Sequence, residues 1–401
     1  MTVVDTSLHP RSALGRDPIR VMIVDDAIVV RGLLVRWIEA EAGLQVVASL
    51  RSGREAIEQV ERTNPDVVIL DVDMPDIDGI TALPLLFEKK RDLVVIMSST
   101  LTRRNAEVSL RALSLGATDY IPKPETNREI TNSASFRRDI IEKIRALGAR
   151  RKQRLDGARA LPRAAPAVPP GPVGGHAAGV GLRLVGSPDT VPALEPVTFK
   201  LRPLPSVPPR ILLIAASTGG PQALGAIVGR ISGIIDQAPV LITQHMPPTF
   251  TTILAEILGR TCDRPVHEAV DGEALRAGRI YIAPGGRHLR VVRREGVPSV
   301  ALGDGPPVNF CKPAVDPMFS SAAETWGNWN LALVLTGMGS DGTRGAADIV
   351  AAGGTVVAQD EETSVVWGMP GSVTKAGLCS AVLPIDQIAT RLTNMFAGSR
   401  S

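Results

Sequence analysis

Residues 155–209 constrain this chain more than any other stretch. Proline, alanine, glycine and valine dominate it, with Pro162, Pro166, Pro169, Pro170 and Pro172 in the first half and further prolines up to Pro209. No apolar periodicity runs through it. Such a composition buries too little apolar surface to offset the entropy of ordering, and it reads as a semi-extended linker. It is also too long to be a loop inside one compact domain. The 401 residues therefore divide into two folding units, residues 19–150 and 208–396, with a linker over 151–207.

The balance of 44% hydrophobic and 21% charged residues suits water-borne globular domains. A net charge of +3 is too small for an extended nucleic-acid footprint. The basic run Arg145–Arg154 reads as the solvated end of a helix. No apolar run approaches the ~20 residues that span a bilayer, and Met1–Asp17 lacks the apolar stretch of a secretory signal. A cytoplasmic protein without membrane insertion is expected. Cys262, Cys311 and Cys379 are far apart and form no C-x-x-C, which suggests neither a zinc site nor a disulfide framework. A reducing compartment fits them.

The first unit alternates strand-like and helix-like runs: Ile19–Val24, Val29–Ala42, Leu44–Ala48, Gly53–Thr63, Val67–Leu70, Ile80–Lys90, Leu93–Met97, Arg104–Leu115, Asp119–Ile121 and Phe136–Ala149. Five strands alternating with five helices predict a doubly wound parallel sheet. Ligands of open α/β sheets bind at the carboxyl ends of the strands. Asp25 and Asp26 end the first strand and Asp71 the third, which are neighbours in a flavodoxin-like 2-1-3-4-5 order. Three carboxylates in one crevice call for a hard cation, and Mg²⁺ suits oxygen ligands. Ser98, after the fourth strand, can bond a phosphoryl oxygen, and Lys123, after the fifth, can pair with its charge. Taken singly, each residue has a plainer reading: an aspartate can cap the next helix, and a lysine can simply be solvated. Five of them at strand ends argue for a site.

This segment resembles a response-regulator receiver domain in Val24-Asp25-Asp26, Leu70-Asp71-Val72-Asp73-Met74-Pro75 with Asp78-Gly79, Ser98, and Lys123-Pro124. The resemblance implies Asp71 as phospho-acceptor, Mg²⁺ on Asp25, Asp26, Asp71 and the Asp73 backbone carbonyl, and Ser98 and Lys123 as switch residues. It also implies a sensor histidine kinase as donor.

The second unit alternates again, with strand-like runs at Ile211–Ala216, Val240–Thr243, Arg279–Ala283, Leu289–Val292, Leu331–Leu335 and Thr355–Ala358. It reads as a second doubly wound parallel α/β domain with a hairpin-like insertion near 279–302, turning at Gly285-Gly286. In Ala215-Ala216-Ser217-Thr218-Gly219-Gly220-Pro221 a serine follows a buried strand and opens a helix, close to the positive end of the helix dipole. Ser217 or Thr218 could also serve only as an N-cap. A nucleophilic serine needs a base. His9 and His176 lie in the tail and linker, His267 reads as structural, and His288 is a runner-up. His245 ends the strand after the serine's helix, at the same sheet edge. Asp341, in the Gly-rich loop Thr336–Gly342, can orient the imidazole, and that loop can present backbone N–H groups to an oxyanion. Asp316, before Pro317, reads better as a helix cap, and Asp360 remains a support residue.

These motifs, with the receiver ahead of them, resemble the CheB family of chemotaxis methylesterases. The matching segments are Ser217-Thr218-Gly219-Gly220, Gln244-His245-Met246-Pro247, Thr336-Gly337-Met338-Gly339 with Asp341-Gly342, Ile282-Ala283-Pro284-Gly285 with His288-Leu289, and Gln359-Asp360 with Gly368-Met369-Pro370. Ala314 and Ala215 depart from the family's usual serine and glycine. The resemblance implies a triad of Ser217, His245 and Asp341, an oxyanion contact from the Met338 backbone N–H, and no cofactor in this domain. It implies hydrolysis of glutamate γ-methyl esters, with deamidation of glutamines, on the cytoplasmic domain of a methylated chemoreceptor. A receiver joined to a non-catalytic binding module would lack one of the three residues. A DNA-binding output would show a basic helix-turn-helix.

Overall fold

The computed structural model describes residues 17–123, 134–160, 200–204 and 207–398. Most of the linker, residues 161–199, lies outside them.

The first domain runs β1 (Ile19–Val24), α1 (Ile28–Glu39), β2 (Leu44–Leu50), α2 (Gly53–Thr63), β3 (Val67–Asp71), α3 (Gly79–Lys89), β4 (Val94–Thr100), α4 (Arg103–Ser114), β5 (Asp119–Lys123) and α5 (Ala134–Ala160). Local chemistry sets several boundaries. Ser52 Oγ accepts from the Glu55 amide, and Asp78 and Thr102 cap α3 and α4 in the same way. The sheet order is β2-β1-β3-β4-β5, all parallel, as the sequence predicts. Every residue of β3 is buried, as a strand covered on both faces requires.

Helix α5 continues to Ala160, so the first ten residues assigned to the linker are helical. Nor is its basic run a solvated helix end. Arg151 pairs with Asp66 and Asp92, and Arg150 donates to the carbonyls of Glu361 and Glu362 in the second domain at 2.8 and 2.9 Å. These partners come from distant parts of the chain, out of reach of a local reading.

The second domain is a seven-stranded parallel sheet in the order β14-β13-β12-β6-β7-β9-β8. Its strands are β6 (Ile211–Ala216), β7 (Val240–Gln244), β8 (Val266–Glu268), β9 (Ile280–Ile282), β12 (Asn330–Val334), β13 (Thr355–Gln359) and β14 (Ala381–Leu383). Helices α6 (Gly220–Val228), α7 (Ser232–Gln237), α8 (Phe250–Cys262), α9 (Val315–Trp326), α10 (Thr343–Ala351), α11 (Met369–Lys375) and α12 (Ile385–Phe396) connect and cover them.

A hairpin is present, but not with the strands expected. β10 (His288–Arg294) pairs antiparallel with β11 (Val297–Gly303), while β9 belongs to the main sheet beside β7 and β8. Gly285 is pressed against the Pro247–Pro248 backbone, where a Cβ would lie 2.2 Å from the Pro248 nitrogen. The double glycine does turn the chain, with the Arg287 amide donating to the Pro284 carbonyl at 3.2 Å, but the turn joins the main sheet to the hairpin and also lets two loops cross closely.

The domains share an apolar layer. Helix α4 packs on α6 and α8, and Leu110, Leu113 and Tyr120 belong to one buried cluster with Leu224, Phe250, Ile253 and Leu254. The Tyr120 ring stacks on Phe250, centroids 4.6 Å apart and planes 9° from parallel. Gln222 donates to the Ala117 carbonyl at 3.1 Å, and Arg103 pairs with Glu256 at 2.7 Å. The exposed ion pair adds little; the buried aromatic contact dominates.

Candidate active site and phospho-acceptor pocket

The strand ends of the first domain gather the residues named from sequence. Oxygens of Asp25, Asp26 and Asp71 lie within 4.8 Å of one another. Lys123 Nζ bridges two of them, 2.6 Å from Asp25 Oδ2 and 2.8 Å from Asp71 Oδ1. Ser98 pairs in register with Asp71, and its buried hydroxyl has no hydrogen-bond partner among the described residues. Asp73 turns its carboxylate to Asn105 Nδ2, 2.7 Å away. Burial pushes the Asp71 carboxyl up to about 7; Lys123 opposes this and Asp25 adds to it. Burial lowers the Lys123 ammonium, but Asp71 and Asp25 outweigh it and raise its pKa overall. An all-oxygen donor set, crowded negative charge and an orphaned hydroxyl fit a divalent cation and a phosphoryl group. Millimolar Mg²⁺ is therefore expected to raise the thermal midpoint of the first domain, and Asp25→Asn to abolish the rise. An equal rise in the variant would count against the site.

The sheet of the second domain positions the other three residues. β6 and β7 are paired in register, Ala216 opposite Gln244, so Ser217 and His245 emerge side by side. β12 flanks β6 on the other side and leads into the loop that carries Asp341. That loop must pass close to the serine. A Cβ at Gly337 would lie 2.9 Å from Ser217 Cβ and 2.5 Å from Met369 Sδ, so only glycine fits there.

His245 Nε2 is 2.8 Å from Asp341 Oδ2. Asp341 is buried and also accepts from Asn309 Nδ2 at 2.9 Å and from the amides of Val315, Asp316 and Gly342 at 2.6, 3.2 and 2.9 Å. Burial raises its pKa, but the His245 bond and charge and the Val315 and Asn309 donors win and hold it down at about 2. An ionised Asp341 only accepts, which fixes the proton of neutral His245 on Nε2 and leaves Nδ1 as the basic nitrogen. Burial pulls the His245 pKa down, while Cys311 and Asp341 push it up, for a net rise to about 10.

Nδ1 faces Cys311 Sγ at 3.4 Å. Ser217 Oγ makes no hydrogen bond among the described residues, so the serine–histidine link is the one contact of the triad not made. Such links commonly tighten only around substrate. Gln244 Nε2 braces the backbone carbonyl of Ser217 at 2.9 Å.

Of the remaining sequence candidates, His267, His288 and Asp360 make no bond to Ser217, His245 or Asp341, while Asp316 bonds Asp341 through its amide. His267 bonds Glu273. His288 bonds the Pro306 carbonyl and the Ala314 amide. Asp316 is not the cap of α9, a place taken by Ala314; it accepts from the Gly345 amide and Asn309. Asp360 holds Thr363. Asn309 and Cys311 belong to no motif of the sequence. Their only sequence signal is a polar pair around Phe310, just ahead of the Lys312–Asp316 motif.

The cleft has a volume of about 550 Å³ and two walls. Ser217, Thr218, His245 and Met338 line one, and Tyr120, Pro122, Arg138 and Glu142 of the first domain line the other. Arg138 sits 4.2 Å over the ring of Phe310, in the loop that carries Asn309 and Cys311.

The Asp341 carboxylate also bears on stability. Its folded-state pKa of about 2 lies below the unfolded value of ~3.9, so its contribution is present above ~3.9 and is lost as pH falls through about 2. Asp341→Asn is expected to cost on the order of 2–3 kcal/mol at pH 7, with the gap narrowing as pH falls below 4. A pH-independent gap in melting experiments would contradict the assignment.

Fold and site together define a two-domain protein: a doubly wound domain with a buried acidic pocket, set against a second α/β domain whose cleft is lined by a serine and by a histidine bonded to an aspartate. The response regulator receiver domain family matches residues 21–135, and the CheB methylesterase family matches residues 212–392. A protein-glutamate methylesterase/protein-glutamine glutaminase of Rhodopseudomonas palustris (strain BisB5) is 57% identical over 385 residues, covering 96% of each chain. One of the same name, of the group 2 operon of Bradyrhizobium diazoefficiens, is 58% identical over 384 residues, again with 96% of each chain covered. The crystal structure of the Thermotoga maritima CheB methylesterase catalytic domain is 42% identical, covers 47% of this chain and 100% of its own, and has a TM-score of 0.45. The chain belongs to the CheB methylesterase family.

Proposed function

We propose that this chain is a protein-glutamate methylesterase and glutaminase of chemotaxis adaptation, controlled by its own receiver. The observation that carries the reading is a cleft lined by Ser217 and His245, with Asp341 bonded to His245 at 2.8 Å, in a chain 57% identical over 96% of its length to a relative of that name.

In the reaction, Cys311 yields Nδ1 of His245 to Ser217. Ser217 Oγ attacks the ester carbonyl of a methylated glutamate on the receptor's cytoplasmic helices, and Nδ1 takes its proton. Asp341 stabilises the imidazolium. The Met338 backbone N–H, on the rim of the cleft, holds the oxyanion. Collapse of the tetrahedral intermediate expels methanol, protonated from Nδ1. Water then attacks the acyl-enzyme by the same proton route and frees glutamate. With a glutamine substrate, ammonia leaves instead.

The input is phosphorylation of Asp71 by a sensor histidine kinase. Asp25, Asp26, Asp71 and the Asp73 carbonyl would hold Mg²⁺, which neutralises charge on the transferred group when bound. Ser98 and Lys123 bind the phosphoryl oxygens. Before phosphorylation the receiver covers the cleft. This rests on Arg138 and Tyr120, which meet Phe310 and Phe250 of the catalytic domain. The new charge draws Ser98 and Lys123 inward and shifts β4, α4 and β5, the elements that carry the interdomain contacts.

The deciding assay is methanol release from methylated receptor, with and without a small-molecule phosphoryl donor. Release that rises with the donor supports the reading, and no release under either condition overturns it.

A further inference from the structure

Cys311 is neither nucleophile, base nor oxyanion donor in ester hydrolysis, yet its Sγ sits on the basic nitrogen of His245 at 3.4 Å. The opposite ring nitrogen is held by Asp341 at 2.8 Å. With Nε2 held by Asp341, Nδ1 is the nitrogen turned to the thiol, and one proton lies between Sγ and Nδ1. Sulfur, imidazole and carboxylate thus form a chain of their own, parallel to the one that serves the serine. Asp341, steadied by Asn309 and three backbone amides, stabilises the imidazolium left when Nδ1 takes the thiol proton. The sulfur therefore has a base within contact distance to take its proton as it attacks an electrophile.

Access separates this thiol from the other two. Cys311 is half-buried and lines the cleft. Cys262 and Cys379 are buried, and burial raises the pKa of both thiols, that of Cys379 to about 11.

We propose that Cys311 is a modification site for soft electrophiles, hydrogen peroxide among them, and that its modification silences the esterase by closing off Nδ1 of His245. In the peroxide reaction Nδ1 takes the thiol proton and the sulfur attacks one peroxide oxygen. The S–O bond forms as the O–O bond breaks, and the departing hydroxide takes the proton from Nδ1 to leave as water. Sulfur is oxidised to a sulfenic acid and peroxide is reduced to water. The added oxygen then stands between Nδ1 and Ser217. Two equivalents of a small thiol reverse the change, giving Cys311, a disulfide of the reagent and water.

The test uses the full chain. Peroxide is added at neutral pH, sulfenic acid is trapped with dimedone and located by mass spectrometry, and methanol release is compared with that of the same protein untreated. One adduct at Cys311 and a matching loss of activity, restored by dithiothreitol, are expected. Cys311→Ala should keep the fraction of its own activity that the parent loses. His245→Gln removes the base that takes the thiol proton and is expected to slow N-ethylmaleimide labelling of Cys311 by roughly tenfold. Cys262 and Cys379 serve as internal controls. Labelling of Cys311 that ignores His245→Gln, labelling without loss of activity, or equal inhibition of Cys311→Ala would each overturn the proposal. The inhibition arm rests on the esterase reading and the labelling arm does not, so failure of one is distinguishable from failure of the other.

Discussion

Ser217→Ala is expected to release methanol at least about 10³-fold more slowly than the parent chain, with little change in receptor binding. The serine oxygen is the one group in the cleft that the acyl intermediate requires. Its removal leaves the Met338 N–H and His245 to assist water alone, and residual rates of that kind fall far below those of an intact triad. His245→Gln should lose activity on a comparable scale and Asp341→Asn somewhat less, because the imidazole survives without its partner. The three losses should not add, since the residues act as one unit. A Ser217→Ala chain with near-parental activity would falsify the triad. The acid limb of the pH profile offers a second reading. Cys311 and Asp341 favour the imidazolium, so kcat/KM should still be climbing above the ordinary histidine value of about 6.5.

The second large effect is expected when the receiver is removed. A chain beginning at Val207 should hydrolyse methylated receptor at least about tenfold faster than the unphosphorylated full chain, the scale of an ordinary allosteric coupling of 1–3 kcal/mol. The wall formed by Tyr120, Pro122, Arg138 and Glu142 would then be absent, and receptor helices could reach Ser217. Phosphorylating the full chain should recover much of the difference. Tyr120→Ala should give part of it without phosphorylation, because it removes the ring stacked on Phe250. Equal basal rates for the shortened and full chains would rule out occlusion by the receiver.

Much of this was legible from sequence because each chemical residue sits beside an apolar run. Asp25, Asp71, Ser217, His245 and Asp341 all lie at or just beyond the ends of buried strands, and parallel α/β sheets gather such ends on one edge. The alternation predicts a doubly wound parallel sheet, and the flavodoxin-like 2-1-3-4-5 order expected for it is the order found. What escaped reading depends on contacts between distant segments. The Gly285-Gly286 pair looks like a turn, but only the nearness of Pro247 and Pro248 shows why it is there. The basic end of α5 looks solvated until Asp66, Asp92 and the carbonyls of Glu361 and Glu362 are placed around it. Asn309 and Cys311 lie in a loop without periodicity, and Asn309 and Phe310 both adopt left-handed backbone angles, φ 50° and 63°. A local pattern does not forecast that conformation for residues other than glycine.

The loop around Phe310 has a thermodynamic corollary. On one side it grips Asp341 and His245, and on the other it meets Arg138 of the receiver. If a receptor helix and the receiver compete for this surface, linkage must run both ways: the free energy by which phosphorylation favours substrate binding is the free energy by which bound substrate favours phosphorylation. A cell rich in methylated receptor would then tilt the equilibrium toward the charged form. The substrate would favour the signal that directs its own demethylation.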